Sequence, residues 1–369
     1  MKILLFGEFS GFMNCLKAGL KALGHEVFLA SNGDGYKNFP SDYRWDKLTF
    51  KVPSYVERIP KAKTILRFSD FLYNRSLFSG YDIVLFITPH LFSNRIFNRT
   101  VIKYIIENNS KIYLSGAGMI KMSFDYWYNS NTKYHEYCKG TLLEYPDYPF
   151  YHDSYFLEWE KLLFSMIDGY IPIWYEYAEP FRQLSCLKKT IRIPIDVEQF
   201  EYTPNILHDG KVVFYHGVSR LCKGVRFIKP AFEKMQKYYG DQAEFICAEK
   251  LPFDKYMAVI RRANVIVDDA NSFSIAMNGL FSMLQGKLVM GGAEPVANKE
   301  LGLDFNPVYN ICPDVDQICD VIKSIIENKS SITDLGKEGH NFVKKYHDSI
   351  DIARQYIDIW ETDMKVSFL

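Results

Sequence analysis

The chain has 369 residues, 48% hydrophobic and 24% charged, enough for two domains of ordinary size with two cores. Lys plus Arg and Asp plus Glu each total 44, and this balance argues against a nucleic-acid-binding protein, which would normally show a basic excess. The cysteines, Cys15, Cys138, Cys186, Cys222, Cys247, Cys312 and Cys319, are odd in number and scattered, with no CxxC pair and no zinc-type Cys/His cluster, which fits a reducing cytoplasm.

The chain opens on MKILLFGEFSG, whose single lysine and short apolar run suit a first buried strand better than a signal peptide. No window approaches a transmembrane span. In GEFSG the glycines Gly7 and Gly11 allow close backbone approach just before a helix containing Asn14, or simply make a tight turn. This is not the spaced GxGxxG of a dinucleotide fingerprint, and no acid ends the second strand at Leu29, Ala30 and Ser31.

Apolar runs at Ile3 to Phe6, Val27 to Ala30, Ile83 to Ile87, Ile112 to Leu114, Tyr170 to Ile173 and Ile191 to Ile195 alternate with helical spacings such as Leu16, Leu20 and Leu23. The alternation predicts a parallel sheet covered by helices. Between them, Lys51 to Arg75 sets Lys51, Arg58, Lys61, Lys63, Arg67 and Arg75 against Glu57 and Asp70, interleaved with Phe68, Phe71, Leu72 and Tyr73. Two readings are open: a helix lying in an anionic membrane interface, or a covering helix with a solvated basic face. His90 follows the strand YDIVLFI and is aimed at the carboxyl edge of the sheet, although an isolated histidine is more often structural. Gly116 to Gly118 follow KIYLSG.

A second series of strands runs through Val212 to Tyr215, Phe245 to Cys247, Val265 to Val267 and Leu288 to Met290. The polar stretch Asp196 to Lys211 lies between the two series and reads as a linker. The expected fold class is α/β, two doubly wound Rossmann-like domains facing across a cleft. Residues 1–200 form an N-terminal Rossmann-like domain and 201–346 a C-terminal one; 347–369 form a helix packing back toward the N-terminal domain. Helical patterns cover Val315 to Glu327, Ile332 to Tyr346 and Ile350 to Met364, with no strand after about residue 311.

The stretch VVFYHGVSRLCKGVRF carries the most chemistry. Gly217 and Gly224 bracket a strand-to-helix turn that holds Arg220 and Lys223, a phosphate cradle or a solvated basic loop. Further on, Asp268 and Asp269 end a strand, and Ser272, Phe273 and Ser274 open a helix whose amides are free to hold a ligand, with Asn278 about one turn along and Glu294 after the strand KLVMGG. One aspartate suits the opening of the helix. Adjacent carboxylates diverge on a strand, so no metal site is expected.

Taken together, these segments resemble the GT-B glycosyltransferases, most of all the large retaining family 4. The similarity covers both domains. MKILLFGEFSG followed by LGHEV is similar to that family's start, where a glycine-rich loop including Gly11 lies between sugar donor and acceptor. IRIPIDVEQFEYTP is similar to its interdomain signature, through Pro194, Asp196 and Phe200. HGVSRLCKG corresponds to its Arg and Lys clamp, which implicates Arg220 and Lys223. LPFDKYMAVIRRANVIVDD resembles the segment where Leu251 and Pro252 would flank the nucleotide base, and GKLVMGGAEP the strand and GG turn that follow. The family's pair of glutamates around the donor helix falls on Phe273 and Phe281, which accept no hydrogen bond from a hydroxyl. Ser274 and Asn278 are the nearest polar substitutes.

The resemblance implies a metal-independent hexosyltransferase that moves a sugar from a nucleotide diphosphate sugar, a UDP-sugar, to a saccharide or lipid-linked saccharide in surface-polysaccharide synthesis, with retention of configuration. Arg220, Lys223 and Asp125 are the expected catalytic residues. Gly11, Gly217, Gly224, Leu251, Ser274, Asn278 and Glu294 are expected at the sugar donor, and Asn14 and His90 at the acceptor. No separate cofactor is implied. The expected location is the cytoplasm, with peripheral contact at the inner face of the membrane. A catalytically silent nucleotide- or partner-binding subunit and a nucleotide-sugar epimerase are the alternatives.

Overall fold

The computed structural model describes residues 1–51, 62–218, 220–249 and 259–366. Strands β1 (Lys2–Phe6), β2 (Glu26–Ser31), β3 (Tyr43–Arg44), β4 (Ile83–Phe86), β5 (Lys111–Gly116) and β6 (Gly169–Pro172) form one sheet in the order β3-β2-β1-β4-β5-β6. Strands β7 (Val212–Val218), β8 (Ala243–Glu249), β9 (Val265–Val267), β10 (Leu288–Gly291) and β11 (Tyr309–Asn310) form a second, in the order β11-β10-β9-β7-β8. Neighbouring strands pair in parallel throughout both sheets. The central strands are continuous apolar runs such as ILLF and IVLF, buried on both faces because helices cover both sides.

Around the first sheet lie helices α1 (Phe12–Ala22), α2 (Ala62–Asn74), α3 (Arg95–Glu107), α4 (Lys121–Tyr128), α5 (Tyr134–Glu144), α6 (Pro149–His152), α7 (Ser154–Phe164) and α8 (Tyr175–Ala178). With the second sheet come α9 (Val225–Tyr239), α10 (Met277–Leu284), α11 (Pro295–Glu300), α12 (Val315–Glu327), α13 (Ile332–His347) and α14 (Ser349–Val366). The last of these leaves its own sheet and packs on α1. Gly19 makes this possible, since a Cβ there would stand 2.0 Å from the Ser349 carbonyl oxygen. Tyr356 and Trp360 on α14 are fully buried, and Asp363 accepts from Tyr113 Oη (2.9 Å) and Lys188 Nζ (2.8 Å).

Three details differ from the sequence pattern. The run Ile191 to Ile195 is largely buried but forms no strand: Ile191 N donates to the Pro172 carbonyl at the end of β6 (2.9 Å), and Ile195 bridges Asp348, its N–H donating to the His347 carbonyl (2.7 Å) while Ser349 N donates to its own carbonyl (2.8 Å). Strands β3 and β11 are two residues long and too short for an apolar run. Strand β7 continues through Gly217 to Val218, so Gly217 is a strand residue paired with Ala248 and not one end of the turn.

The orders of the sheets locate the functional region. In the first, the chain moves outward in opposite directions from β1 and β4; in the second, from β7 and β9. Ligands of doubly wound sheets bind at such reversals, beyond the carboxyl ends of the strands. The segments leaving β1, β4, β7 and β9 therefore deserve comparison with Gly7 to Gly11, His90, Arg220 to Gly224 and Asp268 to Ser274, which follow those strands in turn.

Candidate functional site

The second-domain half is built where β7 meets β9. Gly224 caps α9 with φ +79°, and a Cβ on it would lie 2.8 Å from the Ala270 Cβ, so glycine is needed both for the turn and for its contact with the loop after β9. This sets Lys223 Nζ 2.8 Å from Asp268 Oδ1, while Asp268 Oδ2 accepts from Ala276 N, the cap of α10, at 3.0 Å. Burial opposes the charge on both partners. Asp268 and Asp269 nevertheless raise the lysine pKa, and Lys223 holds Asp268 below the usual carboxylate range. Asp269 lacks that direct contact: desolvation first, with repulsion from Asp268, pushes it up to about 7, against the pull of Lys223.

His216 lies beneath this pair, fully buried. Its Nδ1 meets the Val267 carbonyl at 2.8 Å, its Nε2 has no hydrogen-bond partner, and burial lowers its pKa to about 4. Two more polar atoms in the same region are buried without a hydrogen bond, Arg220 Nε and Asn271 Oδ1. Buried groups of this kind are uncommon, and Arg220 Nε lies within ion-pair distance of Glu144 Oε2 (3.7 Å).

The first-domain half is organised by Glu8, a residue whose role the sequence did not disclose. Its carboxylate accepts from Gly11 N (3.0 Å), Met13 N (3.3 Å) and Asn14 N (3.0 Å), and from the Asn14 side chain. It thereby satisfies amides at the start of α1 and fixes the loop after β1. Gly11, at φ +92°, caps α1 and approaches the second domain: a Cβ there would meet Phe39 at 3.1 Å and Met277 at 3.8 Å. Asn14 is thus held by Glu8 rather than presented to the cleft.

The two halves are in contact through α4 to α8. Helix α5 rests on the turn from Arg220 to Gly224, with Gly140 so near that a Cβ would stand 2.5 Å from Cys222 Cα. From α5, Glu144 Oε2 accepts from Leu221 N (3.0 Å) and lies 3.7 Å from Arg220 Nε, and Glu136 pairs with Arg226. Just before it, Lys133 reaches Glu294 Oε1 (2.7 Å) and the Ile311 carbonyl (3.0 Å). Glu176 on α8 is fully buried; its Oε1 accepts from Ser272 Oγ (2.7 Å), Phe273 N (2.8 Å) and Ser274 N (3.0 Å). Around these polar contacts Trp127, Tyr134 and Tyr175 surround the ring of Phe273 at centroid distances of 5.5, 6.2 and 5.2 Å. A cavity of about 20 Å³ between Trp174, Arg192, Ser274 and His347 has room for a water molecule but not for a nucleotide.

These contacts correct one sequence expectation, the free amides before α10, and show what the other expected site residues touch. The amides of Phe273 and Ser274 are not free, since Glu176 takes both, and the helix begins at Met277, which puts the exposed Asn278 in its first turn. Glu294 is engaged by Lys133 and by Asn310 Nδ2 (3.0 Å). Asp125 pairs with Lys121 one turn back on α4 and makes no hydrogen bond or ion pair with Arg220 or Lys223. His90 Nε2 meets the buried carboxylate of Glu160 at 2.7 Å, between the rings of Phe150 and Phe156, rather than pointing freely into a cleft. Leu251 lies outside the described residues. Among the described residues, no group of three His, Cys, Asp or Glu side chains is placed to hold a metal ion, and no helix is long and apolar enough to cross a membrane.

No protein-family model matches the chain, and no curated protein matches it significantly. Solved structures do. Sucrose-phosphate synthase from Thermosynechococcus elongatus superposes over 99% of this chain and 100% of its own, with a TM-score of 0.60 at 14% identity. HepE from Anabaena, solved in complex with UDP-glucose, covers 98% of this chain and 100% of its own, with a TM-score of 0.56 at 10% identity. UDP-GlcNAc 2-epimerase from Neisseria meningitidis, bound to UDP-GlcNAc, covers 97% and 99%, with a TM-score of 0.51 at 13% identity. The architecture is the GT-B fold, as the sequence pattern implied, and glycosyltransferases are among its structural neighbours.

Proposed function

We propose that this chain is a glycosyltransferase that takes a sugar from a UDP-sugar and passes it to a saccharide or lipid-linked saccharide during surface-polysaccharide synthesis, with retention of configuration. The observation that carries the reading is the pair Arg220 and Lys223, set at the β7 reversal beside the amino end of the 15-residue helix α9. In the transfer, the bond between the sugar C1 and the diphosphate oxygen breaks and negative charge grows on the departing diphosphate. A guanidinium, an ammonium and the helix amides stabilise that charge where it develops. The acceptor oxygen bonds to C1 on the same face, and its proton passes to the departing phosphate oxygen. That HepE binds UDP-glucose in the same fold supports a UDP-sugar as donor.

Within this reading, Asn278 takes the part of the missing glutamate toward the sugar donor, being exposed on the first turn of α10 and able both to donate and to accept. Glu8 holds the Gly11 loop against the other domain. Arg220→Ala is expected to weaken UDP binding by about 1.5–3 kcal/mol, the loss of a charged hydrogen bond, and Asn278→Ala by about 1 kcal/mol. Titration calorimetry with UDP checks both; unchanged affinity in Arg220→Ala means the clamp is wrongly assigned.

A silent nucleotide-binding subunit is the second reading, favoured by Phe273, whose ring lies among Trp127, Tyr134 and Tyr175. Slow hydrolysis of UDP-glucose by the wild type, lost in Arg220→Ala, separates the two. Binding without turnover across a panel of UDP-sugars and acceptors selects the subunit.

The membrane contact is proposed for α2. Its described residues differ from the sequence pattern: Phe71 is buried and Phe68 packs edge-on to Phe97, leaving Ile65, Leu72 and Tyr73 exposed near Lys63, Arg67 and Arg75. Arg58 and Lys61 lie outside the described residues. Basic groups near an anionic surface contribute about 1 kcal/mol each and are screened by salt. Flotation with phosphatidylserine vesicles should carry the protein upward at low salt and release it at high salt. Recovery only in the soluble fraction at low salt removes the membrane contact and leaves glycosyl transfer standing.

A further inference from the structure

Three carboxylates of the first domain occupy three places on the second that attract anions. Glu144 accepts from Leu221 N at 3.0 Å and lies 3.7 Å from Arg220 Nε, inside the turn that the proposed function assigns to a diphosphate. Glu136, two turns earlier on the same helix, pairs with Arg226 in the first turn of α9. Glu176 fills the cluster formed by the Ser272 hydroxyl and the amides of Phe273 and Ser274. Such converging donors suit an anion, and here a side chain of the protein itself supplies it.

We propose that α5 and Glu176 form an internal substitute for the anionic ligand, Glu144 of α5 standing at Arg220 and Glu176 at the amides of Phe273 and Ser274, which a diphosphate must displace to occupy those places. This rests on the clamp reading above. The exchangeable part of α5 is its set of ion pairs, while Tyr134, Cys138, Gly140 and Thr141 seat the helix by burial. Its seat on the clamp turn depends on Gly140, and its ion pairs lie at partly exposed positions, where each is individually weak and easily exchanged. Arg220 meets Glu144 at ion-pair distance but its Nε makes no hydrogen bond, so the guanidinium retains unused capacity that a phosphate oxygen would take up. Burial raises the Glu176 carboxyl above its ordinary range despite its hydrogen bonds, so the closed arrangement holds a group that water would accommodate better. Movement of α5 would uncover the clamp, and release of Glu176 would free the amides beside Phe273.

The test uses the full chain, wild type against Glu136→Ala/Glu144→Ala, with Glu176 kept because its removal strips three buried donors of their acceptor. Hydrogen exchange is measured without ligand, and binding is measured with UDP and with inorganic pyrophosphate. The expected result is about tenfold faster exchange across residues 134–144 and at Phe273 and Ser274, with about tenfold tighter binding of both compounds. Unchanged exchange overturns the proposal, as does faster exchange with affinity unchanged or reduced. If pyrophosphate gains affinity while UDP binds neither protein, the internal substitute stands and the nucleotide reading fails. If UDP binds both proteins equally and exchange does not change, the nucleotide reading stands and the substitute fails. Binding of neither compound by either protein rejects both.

Discussion

Lys223→Ala should lose about 3–5 kcal/mol of folding stability near pH 8, the typical result of removing one partner from a buried ion pair. Asp268 has almost no exposed surface, and without the 2.8 Å contact to Lys223 its charge keeps, among the described residues, the hydrogen bond from Ala276 N and a lesser interaction with His216. The sign of the pH dependence follows. In the wild type, Lys223 keeps the Asp268 pKa below its ordinary value, so the contribution of that carboxylate is present above the unfolded pKa and is lost as pH falls. In the variant, desolvation outweighs the remaining Ala276 hydrogen bond and the folded pKa rises. The deficit should therefore be largest in alkali and shrink toward pH 5, as the carboxylate takes up a proton. Urea denaturation at pH 5 and pH 8 measures it, and Asp268→Asn in the Lys223→Ala background should recover part of the loss. A deficit below about 1 kcal/mol at pH 8 would show that the pair is not a buried one.

Asp269→Asn should stabilise the protein in mild alkali. The folded carboxyl titrates at about 7, well above its ordinary value of 3.8, so its contribution is fully present below the unfolded pKa and disappears as pH rises through 7. Between pH 5 and pH 8.5 the wild type should lose about 2–3 kcal/mol through this group, reckoned at about 1.4 kcal/mol per unit between pH 5 and the folded pKa. The asparagine keeps an oxygen for Asn271 N, now at 2.8 Å from Asp269, and carries no charge, so the variant should lack that part of the slope. Denaturation midpoints at both pH values compare the two. A parallel decline in wild type and variant would remove Asp269 as the source. The same charge stands near the proposed diphosphate site, so UDP affinity of the wild type should also fall as pH rises through 7, and less so in Asp269→Asn.

Most of the fold was legible in the sequence because local pattern and burial coincide in doubly wound sheets. The helix expected over Val315 to Glu327 has those bounds, β1, β7 and β9 contain the apolar runs that indicated them, and β4 stops one residue short of its run, at Phe86. Where they part, legibility ended. Ile191 to Ile195 has the composition of a strand but pairs with the start of α14, far along the chain, and nothing local reveals that choice. The clamp turn was visible through its own cations and glycine. Its partners were not: Glu144 and Glu176 meet residues distant in sequence, through contacts fixed only when the domains pack. Glu176 does follow β6, and an acid just past a strand end is a signal that could have been weighed. Glu8 lay inside a motif that drew attention only for its glycines.

The seating of α14 on α1 has a consequence for synthesis. The first sheet is made before the second, yet Tyr356 and Trp360, which are fully buried against its helix layer, are translated only after the second sheet is complete. At roughly 5–20 residues per second, the interval between α1 and α14 is on the order of tens of seconds. Throughout it, the side of α1 that will hold Ser349 and Ala353 against Gly19 remains uncovered on the ribosome, open to chaperones and to misassociation. A stop codon just before Ser349 would consequently strike the domain that holds α1, although the helix it removes follows the second sheet.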